Sequence, residues 1–232
     1  MFISGLVGAN FGSIANCTNE AVSLGTIVQQ LDMTILYSGI ASFNDSGTMD
    51  GVSSTGVIFN CANNADVSLT LSKGTIYMGG IVIKNAGTIS ACANYGNLSC
   101  RATTTNGGTF YIGGIALNST GGTFNYCVNS GNLTFTNATR KMVGGIVLSY
   151  NHGTTRGVVD TAGNTLTAYC GSVSNSNAYV RENVSVDTLL TSTTKSLSTN
   201  ETISGNVAFR GTIYKITISV VNYVPTMTVV KA

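Results

Sequence analysis

One short core recurs four times along the chain: Gly12-Ser-Ile-Ala-Asn-Cys-Thr-Asn19, Gly56-Val-Ile-Phe-Asn-Cys-Ala-Asn63, Gly87-Thr-Ile-Ser-Ala-Cys-Ala-Asn94 and Gly122-Thr-Phe-Asn-Tyr-Cys-Val-Asn129. Its cysteines are 44, 31 and 35 positions apart. A period in this range fixes the architecture before any local reading, because repeats of this size stack as supersecondary units.

Upstream of each core lies a second element, Ser4-Gly-Leu-Val7, Ser38-Gly-Ile-Ala41, Gly79-Gly-Ile-Val82 and Gly113-Gly-Ile-Ala116, and a fifth copy begins at Gly144-Gly-Ile-Val147. Downstream, Gly96-Asn-Leu-Ser-Cys100 and Gly131-Asn-Leu-Thr-Phe135 supply a third. Each repeat then offers three short strands, cornered by Gly and Asn, the residues that tolerate positive φ. Strands of four or five residues joined by bends fit the coil of a parallel β-helix, in which successive turns stack about 4.8 Å apart. A propeller blade needs four antiparallel strands in roughly 40 to 45 residues, which these segments do not supply. The expected fold is all-β, a β-solenoid of about five rungs with a C-terminal β-strand element. The long first spacing comes from an insertion around Asn44-Asp-Ser-Gly-Thr-Met-Asp-Gly51, expected to bulge from one corner.

The segment Gly5-Leu-Val-Gly-Ala-Asn-Phe-Gly-Ser-Ile-Ala-Asn-Cys17 resembles the GLUG motif of bacterial surface and secreted proteins, large adhesin-like ones in particular. The resemblance spans residues 5 to about 150 and is strongest in the first, third and fourth repeats; the second departs by insertion and the fifth by decay. It implies a cell-surface β-solenoid and brings no catalytic residues, cofactor or metal with it.

Composition agrees with such a surface. Charged residues make up 9% of the chain, against roughly 25% in ordinary globular proteins, so Asn, Thr and Ser must cover the exterior. The hydrophobic fraction of 43% separates the chain from disordered sequences. No apolar run reaches the ~18 residues of a membrane helix, and residues 1–20 lack the pattern of a signal peptide, so a secreted form would be a mature one. The repeats assign residues 1–180 to the solenoid. Residues 181–232 form a capping or assembly element, expected to cap the last rung or pair with a neighbour. Within it, Thr212-Ile-Tyr-Lys-Ile-Thr-Ile-Ser-Val-Val221 alternates like a half-exposed strand.

Candidate chemistry is sparse. Cys17, Cys61, Cys92 and Cys127 should form an inward column of packed thiols; the close Cys-x-x-Cys pairs of a zinc site are absent. Cys100 and Cys170 lie outside the column. The Asn two positions after each core cysteine should form a corner ladder of stacked amides. His152 is the only histidine and has no partner readable in sequence. Asp45 and Asp50 in the insertion, or Glu182 and Asp187 beyond the repeats, are the only carboxylate pairs close enough in sequence to suggest acid/base work on a polysaccharide. The "NDSGTMDG" insertion lacks the full spacing of a calcium loop.

The expected function is therefore a noncatalytic extracellular or surface module, with a carbohydrate or a surface protein as partner and no nucleic acid. The alternative is end-to-end self-association into a filament or particle through open solenoid ends and the C-terminal strand. It draws on an asymmetry of charge. Residues 1–66 carry acids without bases, and residues 67–159 carry bases without acids. Head-to-tail stacking would satisfy both.

Overall fold

In a computed structural model, residues 1–20, 23–29, 32–49, 51–104, 107–152, 155–156, 158–160, 194–196, 202–221 and 224–232 are described. They form a parallel β-solenoid of about four complete turns with part of a fifth, and a separate antiparallel sheet of three strands.

Each turn passes through five sheets, not the three strands the repeat suggests. The third turn shows the plan: Gly74–Gly79, Val82–Asn85, Thr88–Ser90, Ala93–Asn94 and Leu98–Ala102 lie in the first to fifth sheets respectively. Stacking is in register. Tyr77 lies over Leu36 and under Tyr111 in the first sheet, and Ile89 between Ile58 and Phe124 in the third. Sequence reading missed strands such as Ala93–Asn94 because two residues cannot display an alternation. It missed the first sheet because Gly74–Gly79 runs directly into the Gly-Gly corner.

The glycines of those corners act mainly by letting backbones approach. A Cβ on Gly80 would stand 1.9 Å from the carbonyl oxygen of Gly114 and 2.6 Å from Cγ of Asn94, and Gly39 and Gly114 are confined in the same way. Positive φ falls elsewhere. The residue before each core cysteine adopts it: Asn16 at 55°, Asn60 at 49°, Ala91 at 53° and Tyr126 at 53°. Asn suits that left-handed conformation, whereas Ala and Tyr are strained in it by about 1 kcal/mol. Ala91 and Tyr126 belong instead to an apolar cluster under the C-terminal sheet, which explains the exchange.

Two cores fill the coil. One gathers Ile40, Ile81, Ile115 and Ile146 with the core isoleucines and the cysteine column. The other gathers Ile35, Tyr37, Met78, Leu98, Cys100 and Phe110 from the first and fifth sheets. The insertion in the second turn is an antiparallel hairpin, Ser46–Met49 with Val52–Thr55, and it leans toward the first turn, where Ser54 Oγ donates to the Phe11 carbonyl.

The C-terminal sheet comprises Thr202–Phe209, Thr212–Val221 and Val224–Lys231 in that order. Arg210 and Gly211, at φ 47° and 75°, make the tight turn that suits a hairpin of right-handed twist. Pro225 sits in an edge strand, where a missing N–H is tolerated. The sheet does not sit over the last rung. It covers the flank of the stack, burying Ile216, Ile218 and Val207 against Phe59, Ala91, Ala93 and Val128, with the Phe209 and Phe59 rings stacked at 4.4 Å. Thr194–Ser196, from the segment assigned to the C-terminal element, instead extends the fourth sheet of the solenoid.

Candidate functional site

The thiol column is where the spacing placed it. Cys61, Cys92 and Cys127 are buried and Cys17 is half-buried in the first turn. Each thiol donates to the carbonyl two residues back, at 3.3 Å for Cys17, Cys61 and Cys92 and 3.7 Å for Cys127. From the second turn on, each also approaches a carbonyl of the turn below: Ile14, Ile58 and Ile89. Burial pushes the Cys127 thiol up to about 12 and holds Cys92 and Cys100 well above the ordinary thiol range. Cys61 is held lower by hydrogen bonding, first from Cys92. Thiols kept protonated by burial, as Cys92, Cys100 and Cys127 are, make weak nucleophiles and weak ligands. Cys100, on the fifth sheet, packs its sulfur 3.1 Å from that of Met78. Cys170 lies outside the described residues.

The amide ladder after the cysteines is continuous. Asn19 donates to Asn63, Asn63 to Asn94 and Asn94 to Asn129, at 2.9, 2.7 and 2.7 Å. Every donor nitrogen points to the later turn. The glycines of the Gly-Gly corners face this ladder, so the motif's Gly and Asn are two halves of one contact.

A second ladder went unread in the sequence. Asn10 donates to Asn44 and Asn44 to Asn85, each at 2.8 Å, facing the core glycines. Its signal was the Asn two residues before Gly12 and Gly87, hidden in the second turn by the inserted hairpin. In the fourth turn Ser119 takes the register position above Asn85 and cannot reach it. Asn85 Nδ2 and Ser119 Oγ are left buried without partners.

Of the carboxylate candidates, only Asp45 lies among the described residues. Asp45 is engaged by Lys84 of the third turn at 3.2 Å and by the Ser46 amide at 2.8 Å. Asp50, Glu182 and Asp187 lie outside the described residues. The backbone of His152 ends the strand Val147–His152. Among the described residues no cluster of three or more metal-ligating side chains forms, and no helix is long and apolar enough to cross a membrane.

Two surface features remain. Tyr77 and Tyr111 stack at 4.8 Å over Ile83, Leu117 and Leu148 on the outside of the stack. Rings stacked along the axis present their faces to each other and only edges and hydroxyls outward, which suits polar contact better than stacking on a sugar ring. Between the flank and the C-terminal sheet lies a recess of about 240 Å³, lined by Asn16, Thr18, Asn60, Ala62, Tyr95 and Met227 among others. Its amides are joined, Asn60 donating to Asn16 at 2.8 Å, and no carboxylate lines it. No family model, curated protein or solved structure matches this chain.

Proposed function

We propose that the chain is a noncatalytic extracellular or surface module, a stiff β-rod of the adhesin-like kind that GLUG-motif repeats build. The observation that carries this reading is where the repeated polar residues go. The core Asn and Cys, the side chains that recur most strictly, are turned inward, Asn bonded to Asn from turn to turn and the later thiols directed to carbonyls of the turn before. Asp45, the described acid of the insertion, is engaged by a lysine of the next turn. Repetition thus serves length and rigidity, and the flanks are left for adhesion to a carbohydrate or a protein on another surface.

The test incubates the purified chain with a panel of immobilised polysaccharides and extracellular glycoproteins, reading retention and release of reducing ends together. Retention without released sugar is expected. Release of reducing ends that Asp45→Asn abolishes would overturn the reading.

A further inference from the structure

Translation along the stack makes the thiols of the column copies of one another. Ala15 pairs with Phe59 and Thr18 with Ala62, so Cys17 and Cys61 stand at one register position. Cys92 continues it, since Phe59 pairs with Ser90 and Ala62 with Ala93. Cys17, Cys61 and Cys92 each place the sulfur 3.3 Å from the carbonyl oxygen two residues back. Cys61 and Cys92 also approach the isoleucine carbonyl of the turn before in the same way. The side chains therefore share one direction, and sulfur stands over sulfur at the spacing of the turns, about 4.8 Å.

That arrangement disfavours a disulfide and suits a different bond. A disulfide draws its sulfurs to about 2 Å and twists the bond by about 90°, whereas side chains related by translation carry no such twist. Two metal–sulfur bonds of about 2.3 Å laid end to end span about 4.6 Å, which fits between sulfurs one turn apart. Each bond then leaves its sulfur across the direction of the side chain, as a thiolate ligand requires. No third ligand closes on the pair, because among the described residues no three metal-ligating side chains cluster. A tetrahedral ion such as zinc is left short of ligands. A soft closed-shell cation that is satisfied by two collinear sulfurs is not.

The first interval of the column differs from the others in access. Ala91 and Ala93, on either side of Cys92, and Val128, next to Cys127, belong to the cluster roofed by the C-terminal sheet. Asn16 and Thr18, on either side of Cys17, instead line the recess of about 240 Å³ together with Asn60, Cys61 and Ala62. Amides and a hydroxyl there offer oxygens to an arriving ion.

We infer that Cys17 and Cys61 form a two-coordinate site for a soft monovalent cation of the copper(I) or silver(I) class, seated between the first and second turns. The core around the column is apolar, and a net charge buried there is costly. The cation takes the place of one thiol proton, which leaves to solvent as the metal–sulfur bond forms. The second sulfur binds as the neutral thiol, so the site stays uncharged and nothing is oxidised or reduced. The bound ion ties the first turn to the second. This role is independent of what the flanks of the rod adhere to.

The test titrates the reduced 232-residue chain with silver(I) alone, and then with copper(I) held by a competing chelator. One retained ion per chain is expected by native mass spectrometry, with one proton released and a higher melting temperature. X-ray absorption should find two sulfurs at about 2.3 Å from the metal and no third. Cys17→Ser and Cys61→Ser should each lose the ion, whereas Cys100→Ala and Cys170→Ser should keep it. The X-ray absorption count on the unaltered chain decides the matter even where a serine variant fails to fold. No ion held against the chelator, three or more sulfurs about the metal, or an ion kept by both serine variants of the pair would overturn the inference. Loss of the ion from Cys170→Ser would do so too.

Discussion

The solenoid and the C-terminal sheet are both β-structure, yet they are held by different rules. In the solenoid a residue is fixed by its counterpart one turn away: Asn bonds Asn, thiol follows thiol, and a glycine carbonyl fills the space where the next glycine would carry a Cβ. In the C-terminal sheet a residue is fixed by which face it takes, Ile216 and Ile218 inward and Lys215 outward. Column order tolerates almost no change of size. Face order tolerates exchange among apolar residues, as cores generally do.

Gly80→Ala should break the column rule most severely. Its Cβ meets a backbone carbonyl at 1.9 Å with nothing flexible to yield, so a loss above about 4 kcal/mol is expected. It would show as failure to fold or a steep fall in melting temperature. Asn94→Ala leaves the Asn63 donor and the Asn129 acceptor unpaired, a cost of about 2–4 kcal/mol for the two groups, measurable by chemical denaturation.

Ile216→Ala probes the other rule. A loss of about 2–4 kcal/mol is expected, confined to the sheet, so hydrogen exchange should rise across residues 202–231 while the solenoid amides stay protected. Equal loosening of both regions would erase the distinction.

Alkaline pH tests the solenoid alone, where the raised thiols lie. Cys127 is neutral in the folded protein up to about 12, whereas the unfolded chain ionises it from its ordinary value of 9.0. The unfolded state therefore binds fewer protons in that window, and stability falls as pH rises through it, by about 1.4 kcal/mol per pH unit for each such group. Cys92 and Cys100, also raised by burial, add to the same slope. A denaturation midpoint that is flat from pH 9 to 11 would contradict the burial of the column. The smallest effect is a gain. Ser119→Asn should extend the second ladder to Asn85 Nδ2 and stabilise by about 1 kcal/mol, seen as a higher melting temperature.

The repeat made the solenoid, its inward thiols, the Asn19 ladder and the bulging insertion legible before any coordinates. Each depends on one residue recurring at one register position, the kind of signal a period preserves. The number of sheets was not legible, because Thr18–Asn19 and its counterparts are too short for a pattern. Nor was the site of the C-terminal sheet. Its alternation announces an apolar face, but the surface it covers is marked only by Ala91 and Tyr126 standing where a left-handed backbone would favour Asn or Gly. The acidic and basic halves were visible as composition. Their pairing across turns, Asp32 with Lys73 and Asp45 with Lys84, needed the register.

The amide ladder has a direction, and direction matters in time as well as in space. Asn19, Asn63 and Asn94 each donate to the turn that follows in the chain. During synthesis from the amino terminus, a finished turn therefore holds an amide whose partner in the ladder belongs to the turn still to come. Growth of the stack from that end would let each new loop take its register from the one already made.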